Sequence, residues 1–114
     1  MQKTDPGCIL KVLPALNHIS RNYANEIPTE ILAQLCNTSV TSFRRNFQRA
    51  MKMSPMEYIH KTRILMARVL LDNTNSTILE ISLTTGYDSI SSFNRNFLKV
   101  TGMSPRQWRK AKRA

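Results

Sequence analysis

Between Thr41 and Lys52 the chain places Arg44, Arg45, Arg49 and Lys52 with no acid among them, interleaved with Thr41 and Gln48. These are hydrogen-bond donors, not nucleophiles or metal ligands. An arginine fork can donate two parallel bonds to the N7 and O6 of guanine, Gln or Asn can pair with adenine, and other cations can meet phosphate. A second set, Ser91, Asn94, Arg95, Leu98 and Lys99, stands at an offset of 50 from the first, and Leu98 could meet a thymine methyl. Other chemistries are poorly supplied. Cys8 and Cys36 lack CxxC spacing and His18 and His60 are isolated, so no catalytic residue, metal, disulfide framework or cofactor is expected.

Donors of this kind act on a duplex only from a rigid, exposed face. Phe43, Phe47 and Ala50 fall on one side of a helix from about Val40 to Lys52. Rotation by about 100° per residue then puts Thr41, Arg45, Gln48 and Lys52 opposite them, with Arg44 on the flank. Phe93, Phe97 and Val100 do the same for a helix from about Ser89 or Ile90 to Val100, which presents Ser91, Asn94, Arg95 and Leu98. The phenylalanines are expected in the core, not as base-stacking platforms. Ser39, Arg49, Lys52, Lys99, Arg106 and Arg109 are expected to touch phosphates, fixing register without reading sequence.

The two sets belong to an internal repeat. SVTSFRRNFQRAMKMSP (39–55) aligns with SISSFNRNFLKVTGMSP (89–105), with 9 of 17 positions identical, including both phenylalanines, Arg45/Arg95 and the final Met-Ser-Pro. Upstream the offset falls to 49 and pairs Asn37 with Gly86, both tolerant of the left-handed backbone that a tight interhelical turn demands. Each repeat therefore reads helix, turn, helix.

Caps and apolar spacing place the remaining helices. The first runs from about Cys8 to Asn22, with Ile9, Val12, Leu13, Leu16 and Ile19 along one face, and the second from about Pro28 to Cys36. Capping boxes at Ser54/Glu57, Thr77/Glu80 and Ser104/Gln107 open the fourth, fifth and seventh. The fourth reaches about Leu71 with Ile59, Met66, Val69 and Leu70 as its apolar stripe. The expected fold is all-α, with seven helices in two helix-turn-helix subdomains (8–53 and 73–114) joined by a long connector helix (54–72), the whole forming a single domain over 1–114. At about 17 residues the connector spans ~26 Å, enough with helix packing at each end to set the two donor faces one DNA turn, ~34 Å, apart.

Composition agrees with a polyanionic partner. The chain has 17 Lys plus Arg against 7 Asp plus Glu, a net +10, and no acid follows Asp88. An RNA-binding or membrane-surface module would use the same charge, but neither needs a turn-matched pair of helices. No apolar run is long enough to cross a bilayer, and the start MQKTDPG has no signal-peptide stretch, so a soluble, cytoplasmic protein with no membrane partner is expected.

The sequence resembles the DNA-binding domain of the AraC/XylS family of bacterial transcription regulators over about residues 8 to 112. The carrying features are LAQLCNTSVTSFRRNF, the connector pattern Arg63-x3-Ala67-x2-Leu70-Leu71, and Thr85-Gly86-Tyr87-Asp88-x4-Phe93-x-Arg95-x-Phe97 followed by Gly102-Met103-Ser104-Pro105. The resemblance implies base contacts from the first halves of the third and sixth helices, landing on Thr41, Arg44 and Arg45 and on Ile90, Ser91, Asn94 and Arg95. Ile90 is reached only by this analogy. Asp88 departs from the family pattern, and an acid there would repel phosphate. The resemblance further implies a transcription regulator, an activator that contacts double-stranded DNA and RNA polymerase. The domain itself would be monomeric, with dimerisation or effector binding left to a separate domain. The chain is then a stand-alone regulator or the output domain of a longer one.

Overall fold

The computed structural model describes residues 6–113, and every regular element among them is helical: α1 (Pro6–Asn22), α2 (Thr29–Leu35), α3 (Val40–Met51), α4 (Pro55–Asn73), α5 (Ile78–Thr84), α6 (Ile90–Thr101) and α7 (Pro105–Arg113). The fold is all-α, as caps and apolar spacing predict. Residues 1–5, MQKTD, read above as part of a start without a signal segment, and Ala114 lie outside the described residues. The chain divides into two compact units inside α4, one ending at Ile59 and the other beginning at His60.

In the first unit α1 packs chiefly against α3. Val12, Ala15, Ile19, Leu32, Phe43, Phe47 and Ala50 lose essentially all their solvent exposure, and removing that much apolar surface from water is what holds three short helices together. Cys8 and Ala15 complete the buried stripe of α1, while Leu13, expected on it, stays 41 % exposed. The apolar face is wider than the surface available to cover it. Pro14 sits inside α1 and forfeits a backbone hydrogen bond there; flanking burial at Val12 and Ala15 keeps the helix continuous.

The second unit is built around Ile64, Ala67, Leu71, Ile81, Tyr87, Phe93 and Phe97, with Leu70, Ile78 and Trp108 packed at its edge. Within α4 the buried positions are Pro55 and Ile59 for the first unit and Ile64, Ala67 and Leu71 for the second. Met66 and Val69, expected on the connector's apolar stripe, are 37 % and 49 % exposed. The spacing 64, 67, 71 is itself helical, so a stripe through Ala67 competes with one through Met66, and packing selects the small residue. Val100, expected beside Phe93 and Phe97, is also 38 % exposed.

The repeat is as regular in space as in sequence. Ring centroids of Phe43 and Phe47 lie 5.7 Å apart at 55°, and those of Phe93 and Phe97 repeat both values. It also runs three residues past the aligned block. Tyr58 meets Phe47 edge-on at 5.6 Å and Trp108 meets Phe97 edge-on at 6.0 Å, again at an offset of 50.

Both helix-turn-helix turns are Schellman motifs. Thr38 N donates to Ala33 O and Asn37 N to Gln34 O, while Tyr87 N donates to Ser82 O and Gly86 N to Leu83 O. Asn37 (φ 54°) and Gly86 (φ 104°) take the left-handed position, as predicted. A second such pair was not foreseen: Lys52 (φ 60°) and Gly102 (φ 81°) end α3 and α6. The capping boxes at Thr77/Glu80 and Ser104/Gln107 are closed in both directions. At Ser54 only the Glu57 amide donates, at 3.1 Å.

Candidate nucleic-acid interface

The N-terminal ends of α3 and α6 are held by the same device. Ser39 Oγ accepts from the Ser42 amide and Ser89 Oγ from the Ser92 amide, each at 3.2 Å. With the phenylalanines buried beneath, Thr41, Arg44, Arg45, Gln48, Arg49 and Lys52 are all exposed on α3 or at its end. Arg45 leans along its own helix, its guanidinium 3.5 Å from Ser42 Oγ. On α6, Ser91, Asn94, Arg95 and Lys99 are exposed, with Ile90 (39 %) and Leu98 (53 %) among them. Ser39 keeps an outward hydroxyl although its oxygen serves as a cap.

A cleft of about 260 Å³ adjoins α3, lined by Thr29, Arg44, Gln48, Ser54, Pro55 and Met56. Arg44 is thus separated from its neighbour Arg45: the former borders the cleft at the start of α4, the latter faces away from the core.

Arg109 is placed elsewhere than expected. Its guanidinium donates to the backbone carbonyls of Leu71 (3.3 Å), Ser76 (2.6 Å) and Thr74 (3.2 Å), with burial pushing its pKa down and the neighbouring Arg113 charge adding to that. Arg113 donates to Asn75 Oδ1 at 2.9 Å, to Leu71 O at 3.2 Å and to Thr74 O. Both arginines therefore cap the carbonyl end of α4, where the sequence Asp72-Asn73-Thr74-Asn75 offers no glycine to turn the chain. Three of the Arg109 donors are thus spent on backbone carbonyls, which assigns it to the end of α4 and not to the phosphate contact expected of it. Trp108 joins the same clamp: Nε1 donates to Asp72 Oδ1 at 3.0 Å, and Arg68 lies 4.5 Å from the ring centroid. Of the arginines of α7, Arg106 stays exposed with its donors unspent among the described residues.

A second network was missed by sequence reasoning. His60 Nδ1 lies 2.8 Å from the Tyr87 hydroxyl and the two rings stack at 5.6 Å. Burial raises the Tyr87 pKa to about 12 against the opposing charge and hydrogen bond of Arg63. The His60 pKa is lowered by burial and then by the charges of Arg63 and Lys99. The signal in the sequence was spacing: His60, Arg63 and the buried Ile64 and Ala67 share one side of α4. A base whose folded pKa lies below its unfolded one binds more protons unfolded, so its stabilising contribution is present above pH about 6.5 and is lost as pH falls below it. We expect the second unit to melt at lower temperature at pH 5 than at pH 7.5, and His60→Gln to flatten that difference. An unchanged pH profile in the variant would show that His60 does not carry it.

Residues 32–111 match the helix-turn-helix domain family. The chain is 37 % identical over 74 residues to the melibiose operon regulatory protein of Escherichia coli K12, an alignment covering 65 % of this chain and 24 % of that protein. It spans about a quarter of the length of the curated relatives it matches. An AraC-type DNA-binding-domain regulator from Chromobacterium violaceum superposes with a TM-score of 0.86 at 24 % identity, covering 95 % of this chain and 96 % of that one. The DNA-binding domain of AdpA, solved in complex with a target DNA, superposes with a TM-score of 0.77 at 26 % identity, covering 96 % and 95 %. Two helix-turn-helix units of one internal design, matched in sequence and in fold, place this chain in the AraC/XylS family of DNA-binding transcription regulators.

Proposed function

We propose that α3 and α6 each enter a major groove of one DNA site and that the chain binds as a monomer, its regulator acting as an activator that contacts RNA polymerase in the cytoplasm. The observation that carries this reading is the duplicated, capped helix whose exposed face holds donors and no acid. Arg45 and Arg95 lie at the centre of those faces and suit guanine. Thr41, Gln48, Ser91 and Asn94 supply further donors and acceptors, with Ile90 as an apolar contact. Ser39, Arg49, Lys52, Lys99 and Arg106 surround them as phosphate contacts. The family is one of DNA-binding regulators, which supports a reader with no catalytic activity of its own.

Selection of bound sequences from random duplexes tests this reading. Two preferred blocks about one helical turn apart are expected; a single block would confine specificity to one helix. On the selected duplex Arg45→Ala should cost about 1–3 kcal/mol and relax preference at one base pair. An equal loss on random DNA would remove Arg45 from the bases.

A further inference from the structure

The lining of the α3 cleft can be carried onto the second unit through the repeat, and one difference is informative. At the repeat's own register Ser54 and Pro55 correspond to Ser104 and Pro105, Gln48 to Leu98, Arg44 to Asn94, and Met56 to Arg106. The repeat thus puts one arginine among these positions in each unit, on α3 in the first and on α7 in the second. Neither Arg44 nor Arg106 has a partner among the described residues, and both are exposed. Polar character is otherwise not kept, since Gln48 gives way to Leu98. What the two units share is a serine hydroxyl and a single cation.

The helix end supplies little of that charge, since of its first three amides only that of Met56 is left to donate. Pro55 has no amide hydrogen, and the Glu57 amide already donates to Ser54 Oγ. The cation therefore comes from a side chain, and its moving from α3 to α7 between the two units is characteristic of charge neutralisation, not of base reading. A bidentate base contact fixes the direction from which the fork arrives, whereas a phosphate accepts a cation from several.

Resting on the DNA-binding reading above, we infer that the cleft bordered by Arg44, Gln48, Ser54 and Met56 seats a backbone phosphodiester of the bound DNA, with Arg44 as its cation. Arg44 is then a positioning residue, and Arg45, one residue and about 100° away, is left as the arginine of α3 that reads bases. Arg106 performs the same task in the second unit.

The test uses the duplex selected above, a random duplex, and a set of selected duplexes each carrying one neutral methylphosphonate. Arg44→Ala should weaken binding to selected and random DNA by the same factor, about tenfold, and reduce the slope of log affinity against log salt by about one. Arg44→Lys should recover most of the loss, because a phosphate needs charge more than a planar fork. Arg44→Asn should lose affinity and Met56→Arg, added to it, should restore it. One methylphosphonate position should abolish the difference between wild type and Arg44→Ala. The inference is overturned if Arg44→Ala changes a base preference, if Met56→Arg restores nothing, or if no neutralised phosphate removes the Arg44 effect. Failure of the underlying reading looks different: the wild-type chain would show no preference between selected and random DNA.

Discussion

Phe97→Ala is expected to destabilise the second unit by about 3–5 kcal/mol, the usual cost of deleting a fully buried aromatic and leaving its cavity behind. Phe97 has no exposed surface and contacts both Phe93 and Trp108. A unit of this size has little reserve against such a loss, since small domains bury a lower fraction of their surface and whole domains are stable by only about 5–15 kcal/mol. The chain carries one tryptophan, and Trp108 lies against the altered site, so its fluorescence during urea unfolding reports on this unit while far-ultraviolet circular dichroism reports on all seven helices. The urea midpoint followed at Trp108 should fall sharply. A loss under about 1 kcal/mol would mean that α7 does not depend on the phenylalanine pair beneath it.

Arg109→Ala is the next largest expected effect, about 2 kcal/mol of stability, from loss of charge-assisted bonds to the carbonyls at the end of α4 and in the following loop. Partial exposure lets water replace some of them and keeps the figure at the modest end. Lysine should not rescue, because one ammonium cannot span three carbonyls that the planar fork reaches together. Arg106→Ala, on the same helix, should leave stability within about 0.5 kcal/mol. If Arg109→Ala instead left the melting curve unchanged and lowered the salt dependence of DNA binding, Arg109 would be a phosphate contact after all.

What the sequence made legible was chiefly local. Caps at Ser39, Thr77, Ser89 and Ser104 each join residues three apart, and the left-handed turns at Asn37 and Gly86 require particular residue types, so spacing and composition suffice to find them. The repeat then transferred confidence in one unit to the other. Positions decided by a neighbour were less readable. Leu13, Met66, Val69 and Val100 all lie on apolar stripes, yet which edge of a stripe is covered depends on where the adjoining helix comes closest. Arg109 and Arg113 resembled the rest of a basic tail, because nothing in α7 itself reveals that the end of α4, some 38 residues earlier, is short of donors. His60 stands isolated in the sequence, and only the fold brings it to Tyr87.

The left-handed residue at the end of α3 shows what selection has tolerated in this chain. A side chain at that backbone conformation costs on the order of 1 kcal/mol relative to glycine, and the second unit has taken glycine at Gly102, with open space around it. The first unit keeps Lys52, at the exposed end of the helix proposed to meet DNA. A screen for thermal resistance would accordingly favour Lys52→Gly and, in doing so, would gather variants with weakened grip on nucleic acid, so that heat tolerance and operator affinity would evolve in opposite directions at this one residue.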